Sequence, residues 1–398
     1  MTGAPGNKNI VLPKNLFNSI NRKHSHEVNQ DKQGLMCSVI IPTLTLSHDV
    51  AEILNLLLRE KELIKEIIII IDAPEVNIED IPDHFKVELV RIFNTGKRMG
   101  SAAARNVGMD AAIGDVILFL DSDCRPGEGI VRSHLERYSD CDIVAIGGII
   151  DFVGNSSIQS RLVKNCSLLD SFSQAERYET LWWNPTANFS VRRKALGDIR
   201  FDSDFPKRGG GEDVYFGMQL KQKGIIAAEP KAVIKHPVWP GWLNVLRRFF
   251  RWGWAESILT GKATGASDSS VITVRRELSH VSMVFLSIIF SILLFLIFGY
   301  KTIWFIPLGV FIGWEIPIIL SPKRKKPILD EIADHFFQFV FDLGSTLGRL
   351  VPKRWSAINA RAVFSQDHIY ALWEKNQLCE RGAFLGGFIV FLLSIKLG

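Results

Sequence analysis

Gly100 to Pro126 reads GSAAARNVGMDAAIGDVILFLDSDCRP, and this stretch decides the fold class. Ala102 to Ala112 is rich in strong helix formers, and Gly114 follows as a C-terminal glycine. Val116 to Leu120 is short and wholly apolar, the pattern of a strand buried on both faces. The strand runs into Asp121-Ser122-Asp123. Open α/β sheets bind ligands at the carboxyl ends of their strands, which is where these two carboxylates fall. Oxygen donors suit a hard divalent cation, Mg²⁺ or Mn²⁺, of the kind that bridges phosphates. The spacing thus points to a metal–diphosphate site, although an acidic triplet alone also describes a solvated turn.

Outward from this core, the same grammar repeats. Met36 to Pro42 is an apolar run closed by proline, and Thr43 to Ser47 is the loop at its carboxyl end. Ser47 is a candidate N-cap for a helix over Val50 to Arg59. Glu66 to Asp72 and Val87 to Phe93 read as two more strands. Strands alternating with helices predict βαβ units and a mixed, mainly parallel sheet. Further on, Asp142 to Asp151 and Asn188 to Val191 read as strands, and Arg192 starts a helix. Gly209-Gly210-Gly211 delivers Glu212 and Asp213 to the start of a helix expected to be amphipathic. His236 closes a short strand, and its imidazole suits Mn²⁺.

The remainder of the chain is apolar or interfacial. Trp239 to Leu259 is basic, aromatic and amphipathic, the composition of a helix lying in a bilayer interface. Val281 to Tyr300 carries no charge and is long enough to span a bilayer; Thr302 to Leu320 is similar, with Glu315 its only charge. Ile328 to Leu350 reads as a second interfacial helix, and Ala383 to Leu393 as a shorter membrane segment. Arginines at 247, 248, 251, 275 and 276 and the basic run 323–326 flank the two spans, so both ends of this hairpin are expected on the cytoplasmic side. The net charge of +5 is thereby explained by topology and anionic headgroups, and no aromatic interleaving suggests a nucleic-acid partner. The polar Met1 to Lys32 lacks the apolar core of a signal peptide and reads as a flexible leader. Five scattered cysteines suggest neither disulfides nor a zinc site. The expected organisation is a leader (1–34), a catalytic domain (35–238), an interfacial helix and linker (239–280), a transmembrane hairpin (281–320), a cytoplasmic amphipathic segment (321–382) and a third membrane segment (383–398).

Over residues 36 to 236, about half the chain, the order of motifs resembles the family 2 glycosyltransferases. The resemblance rests on Pro42-Thr43, Asp72, Gly100, Ala104-Arg105-Asn106-x-Gly108, Gly114-Asp115, Asp121-Ser122-Asp123 and Glu212-Asp213. It implies a GT-A fold and an inverting sugar transfer from a nucleotide diphosphate sugar, expected to be a UDP-sugar. It further implies that Pro42, Thr43 and Asp72 hold the nucleoside, that Arg105 and Asn106 face the nucleotide, and that Asp121, Asp123 and His236 hold the metal. Asp213 is implied as the base that takes the acceptor's proton, with Glu212 beside it. Two details depart from the family pattern: Ala73-Pro74 follows Asp72, and Leu44-Thr45 follows Thr43. Arg248-Phe249-Phe250-Arg251-Trp252 resembles the Gln-x-x-Arg-Trp box of processive synthases, with arginine in place of glutamine, and Arg251 is expected to reach the diphosphate. The expected acceptor is lipid-linked or a membrane-proximal glycan, in surface polysaccharide or glycolipid assembly at the plasma membrane. A polyprenyl-phosphate transferase, a processive synthase and a non-catalytic scaffold are the alternatives.

Overall fold

The structure is a computed structural model. It describes residues 34–398 except 75, 77–80, 265–273, 277–279, 300–303, 320–325, 352–353, 355–356, 358–359, 363–381 and 394–398. The leader, the basic residues 323–325, Cys379 and the end of the third membrane segment lie outside the described residues.

The chain begins with β1 (Cys37–Thr43), α1 (His48–Leu57), β2 (Ile64–Ile71) and β3 (Val90–Asn94). Then come α2 (Ser101–Ala111), β4 (Val116–Leu120), β5 (Arg125–Pro126), α3 (Ile130–Arg137) and β6 (Ile143–Val153). α4 (Ile158–Lys164), β7 (Thr180–Leu181), β8 (Asn188–Arg192), α5 (Arg193–Leu196), α6 (Glu212–Lys221) and β9 (Ile225–Pro237) complete one nine-stranded sheet with its helices. The strand order is β3-β2-β1-β4-β8-β6-β9-β5, with β7 pairing β9. Strands β1 to β4 are mutually parallel, β8 runs against β4 and β6, and β9 runs parallel to β6. The mixed, mainly parallel sheet follows from strands that are apolar without alternation. Val39 and Ile41 face one core with Leu118 and Leu120, while Ile40 faces the other with Ile117 and Phe119.

Two local expectations are corrected. The strand that ends near His236 is not short: β9 has 13 residues and carries a register irregularity opposite Gly147 and Ile149. The helix after Asp213 is not amphipathic. α6 buries Val214, Tyr215, Phe216, Met218 and Leu220 because it is enclosed between the sheet, Trp183 and the helix Trp242–Thr264.

α7 (Trp242–Thr264) and α10 (Ile328–Arg349) pack along one another and against the sheet; Val245, Phe249 and Phe337 belong to the same core as β1 and β2. Glycines let the two helices touch. A Cβ on Gly253 would overlap the Phe341 carbonyl oxygen, and one on Gly344 would overlap that of Phe250. α10 is also fixed at its start. Asp334 accepts from the Ser167 amide and hydroxyl (2.9 and 2.8 Å) and pairs with Lys326 (3.0 Å), while Asp330 pairs with Arg161 (3.2 Å).

Beyond α7, β10 (Val274–Arg276) pairs with β11 (Ala360–Ala362). α8 (His280–Phe298) contains Val281–Phe298, the one helix among the described residues long and apolar enough to cross a membrane. The expected second span is helical over α9 (Ile306–Ile319), and the third segment over Gly382–Leu393. Leu294, Ile306, Val310 and Ala383 form a shared core of these three apolar helices.

Candidate active site

β1, β2 and β4 are parallel neighbours, so their carboxyl ends, Thr43, Asp72 and Asp121, come to one edge of the sheet. β8 runs the other way and brings its start, Thr186 and Ala187, to that edge. β9 adds His236, and the start of α6 adds Glu212 and Asp213. Together with α7 they enclose a cavity of about 620 Å³. Pro42, Thr43, Asp72, Arg105, Asp121, Asp123, Glu212, Asp213, His236 and Arg251 all line it. Asn106 does not. Its side chain donates to the Phe201 carbonyl and accepts from the Phe201 amide, both at 2.8 Å, and so fixes the segment after α5.

Asp72 holds the loop before α2. It accepts from the Met99 amide (2.7 Å) and the Gly100 amide (2.8 Å). Gly100 is required there, since its φ is +108° and a Cβ would come within 2.8 Å of the Lys207 backbone. This contact ties the start of α2 to the loop that carries Arg208.

Arg105 is buried and joins the two acidic halves of the site. Its Nη2 donates to Asp121 at 2.8 Å and its Nη1 to Glu212 at 3.2 Å. Burial opposes its charge, but Asp121 and then Glu212 hold its pKa above the ordinary value. Glu212 is fully engaged, because it also accepts from the Ser101 hydroxyl (3.2 Å) and the Gly210 amide (2.6 Å). Among the described residues Asp213 accepts from no side chain; the Val214 amide donates to it at 2.9 Å. Burial, then the charge of Glu212, raise its pKa to about 7, against the pull of Arg105. Asp213 can therefore exchange a proton near neutrality. The turn that aims it has three successive glycines at positive φ: 80° at Gly209, 131° at Gly210 and 85° at Gly211.

The donor set fits a divalent cation. The His236 Nδ1–H donates to the Pro237 carbonyl at 2.7 Å, which turns Nε2 toward Asp123 Oδ1 at 3.8 Å. Cys124 lies close to both, and burial, then Asp121 and Asp123, push its thiol pKa up. Asp123 and His236 can hold a cation, with Asp121 alongside.

Opposite these carboxylates stands a cationic and aromatic wall that the motifs did not single out as a whole. Arg208, Arg247, Arg248 and Arg251 all line the cavity, and among the described residues none forms an ion pair. Arg251 Nε donates to the Gly209 carbonyl at 3.0 Å. Burial, then Arg248 and Arg208, push its pKa down to about 10. Arg248 lies 4.2 Å over Trp239, Trp239 meets Trp252 edge-on at 5.6 Å, and Trp252 stacks on Phe172 at 5.8 Å. The spacing of Arg247, Arg248 and Arg251 on one helix was the available signal; the sequence reading gave Arg251 to the diphosphate and took Arg247 and Arg248 as interfacial charge. Trp183 is buried and lines the cavity, while Trp182 carries Lys221 over its ring at 4.5 Å.

Residues 38–200 match the family model described as Glycosyl transferase family 2. The chain is 31% identical to polypeptide N-acetylgalactosaminyltransferase 3 of Drosophila melanogaster over 157 residues, which is 37% of this chain and 21% of that protein. It is 24% identical to glycosyltransferase AglE of Haloferax volcanii over 226 residues, 54% of this chain and 71% of AglE. Thus the chain spans only about a fifth of the length of the Drosophila relative. Among solved structures, the mannosyltransferase PcManGT from Pyrobaculum calidifontis, in complex with GDP-Man and Mn²⁺, overlays with a TM-score of 0.45 at 13% identity, over 90% of this chain and 88% of that one.

Proposed function

We propose that the protein is a metal-dependent glycosyltransferase, tethered to a membrane by α8 and its neighbours, that moves a sugar from a nucleotide diphosphate sugar to a lipid-linked or membrane-proximal acceptor. The observation that carries this reading is the division of one cavity into a cation-binding side, Asp121, Asp123 and His236, and a proton-accepting side, Asp213. Bound there, Mg²⁺ or Mn²⁺ would supply charge neutralisation for the leaving diphosphate. Pro42, Thr43 and Asp72 line the end of the cavity where the nucleoside would sit. Asp213 accepts the acceptor's hydroxyl proton while that oxygen bonds to the anomeric carbon and the bond to the diphosphate breaks. Glu212 and Arg105 keep the glycine turn and Asp121 in register.

A second reading has its own support. Four arginines without carboxylate partners among the described residues favour an acceptor that is itself anionic, such as a polyprenyl phosphate. Such an acceptor is already ionised and needs no base.

The test is a screen of nucleotide sugars for Mn²⁺-dependent release of the nucleoside diphosphate by the purified protein with membrane lipids, with Asp213→Asn as control. Release from one donor, lost in the variant, supports the first reading. Lipid-dependent release that survives in the variant selects the second. No release from any donor with any lipid counts against both.

A further inference from the structure

α10 buries Phe337 and Phe341 among polar and charged groups, and leaves a second apolar stripe exposed. Its inward face carries Asp330, Asp334, Asp342, Ser345 and Arg349, all buried. Its outward face carries Ile328, Leu329, Ile332, Phe336 and Leu347, with Leu350 just past its end, all exposed. These recur at helical spacing over 22 residues, a length of about 33 Å. The inward polar groups are matched. Asp330 and Asp334 hold the catalytic domain, Arg361 pairs with Asp342 at 2.7 Å, and Arg349 pairs with Glu256. The helix therefore cannot roll to hide its apolar stripe without breaking each of these pairs.

The stripe is continuous with the apolar exterior of the chain. Thr346 shares a hydrogen bond of 3.0 Å with Ser282, in the first turn of α8, and the Phe339 ring meets Phe311 of α9 at 6.3 Å. At its other end, Phe336 meets Phe337 at 6.3 Å and Phe337 meets Trp242 at 6.4 Å; Trp242 and Leu243 are themselves exposed. Trp242 sits between Pro240 and Asn244, both on the rim of the cavity, and Arg247 one turn later is exposed and lines it.

We infer that α10, with Trp242 and Leu243, is a seat on an anionic bilayer surface: the stripe lies among the acyl chains and Arg247 reaches the phosphates of the headgroups. A tryptophan at one end, arginine beside it and a narrow stripe along one helix match an interface-lying element. The seat places the rim of the cavity at headgroup depth, so that a lipid-linked acceptor reaches Asp213 without leaving the membrane. This rests on the reading of α8 as a membrane span, and the test separates the two.

The full chain, with Cys141→Ser and Cys379→Ser to remove the exposed native thiol and the one outside the described residues, is reconstituted in phosphatidylcholine–phosphatidylglycerol vesicles. A single fluorophore is placed by Ile332→Cys, Phe336→Cys or Leu347→Cys. Leu293→Cys on α8 and Lys223→Cys before β9 serve as controls. Brominated lipid is expected to quench the three stripe labels at least about twofold more than the label at 223, and iodide to reach them poorly. Iodide quenching of the stripe overturns the seat. Shielding from both quenchers also overturns it, and assigns the stripe to a second copy or to residues 363–381. A quenched label at 293 beside unquenched stripe labels leaves the span standing and removes the seat; an unquenched label at 293 removes the span. If one stripe variant fails to fold, Ile332 and Leu347 at opposite ends still decide the outcome.

Discussion

Glu212 and Asp213 are adjacent in sequence and opposite in bonding. Glu212 is buried and takes hydrogen bonds from Arg105, Ser101 and the Gly210 amide; Asp213 takes that of the next amide in the chain and, among the described residues, none from a side chain. Asp213→Asn is therefore expected to lower turnover by about 10²- to 10⁴-fold, the usual contribution of a positioned base, while leaving donor binding nearly unchanged and, at about pH 4.5 where the wild-type side chain is itself neutral, the melting temperature too. Glu212→Gln should behave differently. It weakens the charge facing buried Arg105, so the melting temperature falls together with activity. Calorimetry of both variants beside initial rates separates the roles, and equal thermal losses would sink the division.

The same pair sets a pH dependence. The charged groups facing Asp213 are Glu212 on its own helix and Arg105 from α2. Since Asp213 titrates at about 7, a rate that needs its ionised form should rise about tenfold per pH unit below 7 and level off above it. Stability should run the other way. Between about pH 4 and 7 the folded chain keeps this proton and the unfolded chain has lost it, so this group's contribution to stability falls as pH rises through that window. Asp213→Asn removes the slope. Wild-type and variant melting temperatures should thus differ more at pH 8 than at pH 4.5, and parallel curves would count against the raised pKa.

Much of this site was legible because its residues lie at strand ends and in short motifs. VILFL before Asp121 announced a strand buried on both sides, and the sheet has it. The glycine turn announced the two carboxylates. Asn106 could not be placed in the same way. It lies one residue from Arg105, yet its partner is Phe201, 95 residues away, and helix periodicity does not say which of two neighbours faces a cavity. Arg251 apart, the basic face of α7 was read as interfacial charge because local composition cannot show that α10 covers its other side. The glycines at 253, 344 and 348 carry that contact, and nothing in their spacing names the partner helix.

His236 and Asp123 come together from the ends of β9 and β4, and only one ring nitrogen of His236 remains free for a cation. His236→Ala is expected to weaken Mn²⁺ binding at least about tenfold. Trp239 provides the readout, since its ring centre is 5.7 Å from that of His236 and paramagnetic Mn²⁺ quenches indole emission at such range. Asp123→Asn should weaken quenching in the same way, and Asp115→Asn, on the turn before β4, should not. Unchanged Mn²⁺ titrations in both site variants would exclude this pair as the cation site.

A buried ion pair joins α7 to α10 beside the cationic wall. Glu256 of α7 and Arg349 of α10 are both fully buried and meet through two hydrogen bonds of 2.8 and 2.6 Å. Ser345 and Thr260 donate to the same carboxylate at 2.6 and 2.7 Å, and the Ala362 amide of β11 adds a third donor at 2.9 Å. Burial would raise the Glu256 pKa, but Arg349, Arg361 and these hydroxyls hold it below the ordinary value, so it is charged. Removing either partner strands the other charge, and Glu256→Gln or Arg349→Met is expected to cost about 3–5 kcal/mol. Replacing both by methionine should cost clearly less than the sum, because no unpaired charge then remains. Trp252 and Arg251 lie one turn before Glu256, so the single variants should also raise KM for the acceptor more than for the donor. A double-mutant cycle by denaturant titration checks the coupling, and strict additivity would show that the pair is not the joint between α7 and α10.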